Sequence, residues 1–225
     1  MIEVPQDILW QTFSGSQRHF TEGNILARRY ARGISPILAF AGGPEPDFDA
    51  IEPYVEPGES FYVDLWTGPV PQAWELEVET ELLKMIWAGG TQPEIDTTDL
   101  VPLSPRHAQV ALDLALLTNP GPFGLRTLEL GDYFGVFDRG NLIAMAGERM
   151  FCPPLREISG VCTHPDAQGR GLAKKLMIHL VQRALGRGEV PFLHVRGTNE
   201  VACGLYRRMG FRDSISTTMR VIRKL

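Results

Sequence analysis

The spacing of apolar and polar positions predicts a strand, a helix and another strand in the second half of the chain. Apolar residues recur at helical intervals over 172–185, and Gly186 ends the pattern. Short runs rich in apolar residues at 157–163 and 191–196 predict the flanking strands. A strand, helix and strand in this order favour a parallel pair of strands joined by a right-handed crossover.

Two further patterns extend this half toward the N-terminus. The runs 133–137 and 142–150 flank the turn 138–141, Asp-Arg-Gly-Asn, which predicts an antiparallel hairpin. Ser104 is a predicted N-cap for an apolar helical segment that stops at the Asn-Pro-Gly-Pro break of 119–122. Strands and helices therefore alternate from about residue 104 onward.

The first half predicts a separate folded module, because its aromatic and apolar content is too high for a disordered acidic tail. A stretch rich in Gly, Pro, Thr and Asp at 88–105 is the predicted linker. We therefore expect two domains, 1–98 and 99–225. The elements predicted before the linker are helices near 6–13 and 47–54, and strands near 24–30, 36–41, 60–65 and 75–86.

Charge divides the chain at the same place. The protein has 225 residues and a formal net charge of −5. Residues 1–100 carry 5 basic and 17 acidic side chains, a net of −12, whereas 101–225 carry 17 and 10, a net of +7. The acidic half argues against a protein that wraps nucleic acid, and the basic half could hold a small phosphorylated ligand.

Cysteine usage and the N-terminal residues bear on the compartment. Cys152, Cys162 and Cys203 are odd in number and lack CxxC spacing, so neither a disulfide framework nor a zinc site is predicted. Residues 1–10 lack the positive charge and apolar run of a signal peptide, and no apolar run approaches about 18 residues. We expect a cytoplasmic protein without a membrane span or a metal.

The strongest chemical signal is a Gly-rich turn that opens the helix at 172. Free N–H groups at a helix start, with glycines that allow close approach, favour a pyrophosphate. A tight turn with a solvated basic face is the equally weighted alternative. A dinucleotide fingerprint would need a third glycine where Lys174 stands, and the Gly-Lys-Ser/Thr of a P-loop is absent.

Spacing around this turn resembles the GNAT superfamily of acyl-CoA-dependent N-acyltransferases. Gln168, Gly171 and Ala173 match its Gln/Arg-x-x-Gly-x-Gly/Ala signature. Asn199 and Tyr206, seven residues apart, resemble its Asn…Leu-Tyr…Gly-Phe segment, and the resemblance covers about residues 104–225. Bacterial members akin to glycine N-acyltransferases look most similar, and they carry an N-terminal module like a degenerate half of the same fold.

The resemblance implies an α/β (α+β) fold with a mostly antiparallel sheet, one parallel strand pair and flanking helices, preceded by a smaller α/β module. It implies acetyl-CoA or another acyl-CoA as co-substrate. The pantetheine arm would pair like an added strand with the chain near Val161, Cys162 and Thr163, and Asn199 would hydrogen-bond the arm. The residues implied around the pyrophosphate are Gln168, Gly169, Arg170, Gly171, Leu172 and Ala173.

Amine acylation also requires a base. An alkylammonium with a pKa near 10.4 must lose about 3.4 pK units, roughly 4.6 kcal/mol, to react at pH 7. Glu157 lies eleven residues before Gln168, where lysine-acetylating members place their catalytic glutamate. The alternatives are a glutamate that merely pairs with Arg156 or Arg149, or a water relay; Glu148 is the reserve base.

The leaving thiolate and the oxyanion need partners as well. Tyr206 matches the family's proton donor to the thiolate, although a tyrosine on an amphipathic helix is often simply core. A main-chain N–H near Cys162 would hold the oxyanion. His164 and His194 are interpreted as a turn residue and a strand side chain rather than bases, and Cys162 as a buried thiol rather than an acyl carrier.

We therefore predict an N-acyltransferase that moves an acyl group, expected to be acetyl, to a primary amine by direct attack in a ternary complex. The loop 118–123 would form one wall of the acceptor site. A small amine or amino acid is the first expectation for the acceptor, and a protein amine the second. The hypothesis from another class is a module that binds acyl-CoA without turnover, as a sensor or interaction domain.

Overall fold

Strands from both halves of the chain form one eight-stranded sheet. The computed structural model describes residues 2–90 and 93–225. The α-helices in these residues are α1 Ile8–Ser14, α2 Phe48–Ile51, α3 Ala108–Thr118, α4 Leu172–Gly186 and α5 Glu200–Met209. The strands are β1 Thr21–Gly23, β2 Ala27–Tyr30, β3 Leu38–Phe40, β4 Ser60–Asp64, β5 Trp74–Trp87, β6 Val101–Leu103, β7 Tyr133–Asp138, β8 Asn141–Cys152, β9 Leu155–Thr163, β10 Val190–Arg196 and β11 Phe211–Lys224.

The large sheet has the strand order β4-β11-β5-β10-β9-β8-β7-β6, and β1, β2 and β3 form a separate small sheet. Neighbouring strands of the large sheet are antiparallel except β9 and β10, which are parallel. Helix α4 makes the crossover between these two strands. The predicted fold class and the predicted parallel pair are therefore confirmed.

The sheet crosses the boundary that the sequence predicts at residue 98. Strands β4 and β5 precede that boundary, yet β4 pairs with β11, and β5 lies between β10 and β11. In the first half, β1, β2 and β3 form the separate small sheet, whereas α1 packs on the large sheet through Ile8 and α2 packs on it through Ile51. Residues 91 and 92 of the predicted linker lie outside the described residues.

Strands β9 and β10 separate shortly after they meet. Their pairing covers only three positions and ends where Phe192 faces Glu157. Beyond that point β10 follows β5, since residues 192–196 pair with 82–86. Residues 158–163 of β9 therefore have no β10 partner, and a cleft opens between the two strands.

The helices hold this cleft from one side. The apolar face of α4, with Leu176, Met177, Leu180 and Val181 fully buried, packs on the same core as Val195 of β10 and Tyr206 of α5. Burying a side chain of this size stabilises the fold by about 1.5–3 kcal/mol. Packing of α4 and α5 against the separated strands therefore fixes the cleft's geometry.

The start of α3 differs in detail from the prediction. Ser104 forms a reciprocal capping box with His107, but the capped element is a 3-10 turn, Pro105–His107, that runs into α3 at Ala108. The helix ends at Asn119, which adopts a left-handed conformation with φ 48° before the Pro-Gly-Pro loop. The predicted break at 119–122 is therefore where the helix stops.

Candidate functional site

A cavity of 590 Å³ occupies the cleft between β9 and β10. Its walls come from both strands, from α5, from the loop 119–122 and from first-half residues that include Leu9, Ile37 and Tyr62. Half of the predicted site residues line it, namely Val161, Cys162, Thr163, Gln168, Asn199 and Tyr206. The predicted acceptor wall 118–123 contributes residues 118–122 to the same cavity.

The other predicted cofactor residues, Gly169 to Ala173, lie next to Gln168 in the turn that opens α4. Gly169 and Gly171 have φ values of +77° and +76°, and a Cβ atom added at either would meet no atom within 4 Å. None of the backbone N–H groups of 169–174 donates a hydrogen bond within the described chain. Six N–H groups at a helix start without a partner in the described chain fit an anion.

Two positively charged side chains near this turn are at least partly exposed. Arg170 lies 3.7 Å from Asp138, and both side chains are about half exposed. Lys175 pairs with Asp99 on the helix surface. Exposed pairs of this kind are weak, so both cations remain able to attract a phosphate.

A β-bulge shapes the cavity wall on β9. Cys162 pairs with Met145 and Ser159 with Gly147, so two residues of β9 oppose one residue of β8. Gly160 in the bulge has a φ of +63°, which a glycine adopts readily. The bulge interrupts the regular ladder at the position where the sequence predicts an oxyanion-binding N–H.

Tyr206 brings a hydroxyl to the cavity from α5. The residue is 8% exposed, its ring centroid lies 6.2 Å from that of Phe211, and its hydroxyl makes no hydrogen bond within the described chain. Burial, together with Cys203 and Cys162, raises the pKa of Tyr206 to about 12. The hydroxyl is therefore protonated at neutral pH and able to donate.

Asn199 caps α5 at the cavity rim. Its side-chain oxygen accepts a hydrogen bond of 3.1 Å from the N–H of Ala202. The side-chain NH₂ has no hydrogen bond within the described residues and can donate to a ligand. The capping role and the predicted pantetheine contact are therefore compatible.

Glu157 is fully buried and is not among the residues that line the cavity. Its two oxygens lie 2.5 and 2.9 Å from Arg149, and Oε1 lies 2.7 Å from Nδ1 of His194. Burial alone would raise the pKa of Glu157, but Arg149 and His194 lower it to about 2. The Arg149 pairing that the sequence left open is present, and a base role by direct contact with the amine is not supported by this burial.

The reserve base is also engaged elsewhere. Glu148 binds Arg187 at 2.5 Å and lies 3.6 Å from Arg156, whose principal partner is Glu189. Burial raises the pKa of Glu148, and the contact with Arg187 opposes this. Like Glu157, it does not line the cavity.

His194 is a strand side chain, as the sequence predicts, and it lies in the cavity wall. Its side chain is 7% exposed, lines the cavity and contacts Glu157 through Nδ1. The signal lies in strand register: Phe192 pairs with Glu157, and His194 follows two positions later, on the same face of β10 as Phe192. No pattern within the sequence gives that register.

Cys162 and His164 are the remaining candidates of the sequence analysis. Burial raises the pKa of the Cys162 thiol to about 11, so little thiolate exists at neutral pH. His164 sits at the turn after β9, where its Nδ1 accepts a hydrogen bond from the N–H of Asp166. Within residues 2–90 and 93–225, no group of three His, Cys, Asp or Glu side chains has the arrangement of a metal site.

Comparisons with known proteins show which family the sequence resembles. A model of the acetyltransferase (GNAT) family matches residues 111–211. The N-alpha-acetyltransferase RimI of Mycobacterium tuberculosis is 32% identical over 114 residues, which are 48% of this chain and 71% of that protein. The mycothiol acetyltransferase of Saccharomonospora viridis is 39% identical over 71 residues, which are 30% of this chain but only 22% of that protein.

Solved structures extend the similarity beyond the matched region. A GNAT-family protein from Novosphingobium aromaticivorans is 32% identical, with a TM-score of 0.87 over 98% of both chains. A GCN5-related N-acetyltransferase from Kribbella flavida shares the fold at 14% identity, with a TM-score of 0.61 over 97% of this chain and 95% of that one. The chain thus belongs to the GNAT family of acetyltransferases. No helix in the described part of the chain is long and apolar enough to cross a membrane.

Proposed function

We propose that this acetyltransferase moves an acetyl group from acetyl-CoA to a primary amine by direct attack in a ternary complex. The observation that carries the proposal is one cavity that joins the unpaired edge of β9 with Tyr206, beside a Gly-rich turn whose N–H groups make no hydrogen bond within the described chain. A ternary complex is favoured because Cys162, the cysteine in the cavity, is a poor nucleophile at its raised pKa.

The residues fit coenzyme A along its length. The free N–H groups of 169–174 suit the pyrophosphate, and the unpaired edge of β9 at 161–163 suits the amide-rich pantetheine arm. The NH₂ of Asn199 adds a donor from the opposite wall. The acyl end would then lie beside the β9 bulge and Tyr206.

Tyr206 would serve as the proton donor to the leaving sulfur. A coenzyme A thiol has a pKa near 8.5, so the thiolate can leave unaided, but a hydrogen bond from the hydroxyl stabilises it. With a pKa of about 12, the hydroxyl holds its proton until the sulfur develops charge.

A small amine or an amino acid is the proposed acceptor. Leu9, Ile37 and Tyr62 from the first half of the chain wall the cavity beside the loop 119–122, which restricts the space beyond the thioester. A protein amine is the second candidate, since the relative from Mycobacterium tuberculosis is an N-alpha-acetyltransferase by name. A panel of acceptors separates the two.

The experiment measures coenzyme A release by wild-type protein with acetyl-CoA and a panel of amino acids, polyamines and peptides with free N-termini, and identifies products by mass. Turnover with an amine and formation of its N-acetyl product would support the proposal. Acetyl-CoA binding without turnover on any acceptor would favour the sensor hypothesis instead. A protein that fails to bind acetyl-CoA would exclude both.

A further inference from the structure

His194 has a buried nitrogen that no residue satisfies. Nδ1 contacts Glu157 at 2.7 Å, whereas Nε2 has no hydrogen-bond partner within the described residues. An unsatisfied buried polar atom destabilises the folded state. The ring lines the cavity, although Nε2 itself exposes less than 1 Å², so a ligand must pack directly against the ring to supply the missing hydrogen bond.

The contact with Glu157 sets the tautomer of His194. Glu157 is ionised and bound to Arg149, so it can only accept a hydrogen bond. Nδ1 must therefore carry the proton that it donates to Oε1. In the neutral ring, Nε2 is then the nitrogen with a free lone pair, able to accept a proton.

Resting on the proposed function, we propose that His194 is the general base that takes the proton from the acceptor ammonium. Glu157 is the positioning residue that fixes the ring, and Arg149 holds Glu157. Glu157 is buried and does not line the cavity, so it does not contact the amine directly. His194 lines the same cavity as Tyr206, and its imidazole therefore acts as the base in place of the carboxylate.

Charged groups surround the imidazole from four strands. Glu157 on β9 and Arg149 on β8 contact each other directly. Lys84 on β5 pairs in register with His194, and its ammonium is held 2.6 Å from Asp64 on β4. Both ion pairs are buried, the Tyr30 and Tyr133 side chains interact electrostatically with Arg149 and Glu157, and Nε2 of His194 has no hydrogen-bond partner among the described residues.

The proton inventory closes with these groups. Nε2 of His194 takes one proton from the ammonium, and the freed nitrogen lone pair forms the C–N bond. The C–S bond breaks with its electron pair on sulfur, and the Tyr206 hydroxyl supplies the proton of the thiol. The second nitrogen proton returns to the Tyr206 oxygen, and His194 releases its proton to solvent.

The test compares His194→Gln with His179→Gln in the same assay. His179 on α4 also has a buried, unpartnered Nε2, but it packs on Phe134 and does not line the cavity. We expect His194→Gln to lower kcat about 10²- to 10⁴-fold with an unchanged Kd for acetyl-CoA. His179→Gln should stay within twofold of wild type.

Two readouts separate catalysis from structural damage. Imidazole added to His194→Ala should restore a measurable part of kcat, since the freed space can admit the missing base. The rise of kcat/KM with pH that reflects base deprotonation should also be absent in His194→Gln. An acceptor amine's own ionisation is held constant by using one amine for all variants.

The outcomes distinguish this inference from the proposed function. If wild type acetylates an amine and His194→Gln stays within threefold of its kcat, His194 is not the base and the proposed function stands. If wild type turns over no amine, both are overturned. If kcat falls strongly in His194→Gln, but imidazole does not rescue His194→Ala and the pH profile of kcat/KM is unchanged in His194→Gln, His194 has a structural role and the inference is overturned.

Discussion

The Glu157 carboxylate joins Arg149 and His194, with Oε2 2.9 Å from Nε of Arg149 and Oε1 2.7 Å from Nδ1 of His194. All three side chains are at least nine-tenths buried. The contact between Glu157 and His194 links β9 to β10 where their parallel pairing ends. Beyond that point β9 pairs only with β8, and β10 pairs with β5. The structure of the cavity wall therefore depends on the buried Arg149–Glu157 ion pair and its contact with His194.

Removing one member of the Arg149–Glu157 ion pair should strongly destabilise the protein. Arg149→Met leaves the Glu157 charge buried with less compensation, and we expect a loss of about 3–5 kcal/mol in the free energy of unfolding. The double variant Arg149→Met, Glu157→Gln should lose less than the sum of the two single variants. Urea denaturation provides the values.

The exposed pair Arg207–Asp213 is the matched comparison. Its side chains are about half exposed, so Arg207→Met should cost about 1 kcal/mol or less. Equal costs for Arg149→Met and Arg207→Met would contradict a special role for the buried pair.

Glu157 should make stability depend on acid pH. Its pKa is lowered from 4.5 to about 2, so its stabilising contribution is complete above about pH 5 and is lost as pH falls toward 2. The difference in Tm between wild type and Glu157→Gln should therefore narrow over that range. A difference that stays constant from pH 6 to pH 2 would refute the lowered pKa.

The glycines of the turn before α4 should matter for ligand binding as well as conformation. At Gly171, φ is +76° and no atom lies within 4 Å of an added Cβ, and Gly188 after α4 matches it with φ +73° and equal space. Alanine at either position should cost about 1–2 kcal/mol of stability. Only Gly171→Ala should also weaken acetyl-CoA binding, with a Kd about tenfold higher by calorimetry. Equal Kd values for acetyl-CoA in Gly171→Ala and Gly188→Ala would show that the coenzyme A phosphates bind elsewhere.

Asn199 combines two roles that substitutions can separate. Asn199→Ala should lose the α5 cap, about 1 kcal/mol, and also raise the KM for acetyl-CoA. Asn199→Asp keeps an oxygen that can cap but lacks the NH₂ donor. It should therefore keep the wild-type Tm while still raising KM; a KM equal to wild type would show that the side-chain NH₂ does not bind the pantetheine arm.

Tyr206→Phe should slow the reaction without weakening the binding of acetyl-CoA. Loss of the proton donor predicts a fall in kcat of about 10²-fold or more, with an unchanged Kd. Tyr133→Phe is the control, because its hydroxyl is also buried and unpartnered but does not line the cavity. Similar kcat values for the two variants would remove Tyr206 from the mechanism.

Local features of this protein followed from the sequence alone. The Gly-rich turn, the α4 helix and the spacing of Asn199 and Tyr206 depend on residues near one another in the chain, and periodicity and turn chemistry report on such neighbours. The parallel pair β9–β10 followed as well, because a strand, helix and strand sequence permits few topologies.

Only the tertiary structure decided which strands pair and which side chains meet. No local pattern shows that β5 inserts between β10 and β11, or that β9 and β10 part after Glu157, because strand partners and register depend on packing across the whole sheet. That register buries Glu157 against Arg149 and places His194 in the cavity wall. The sequence thus determined the family resemblance and the Gly-rich turn, and only the assembled sheet decided which side chains line the cavity.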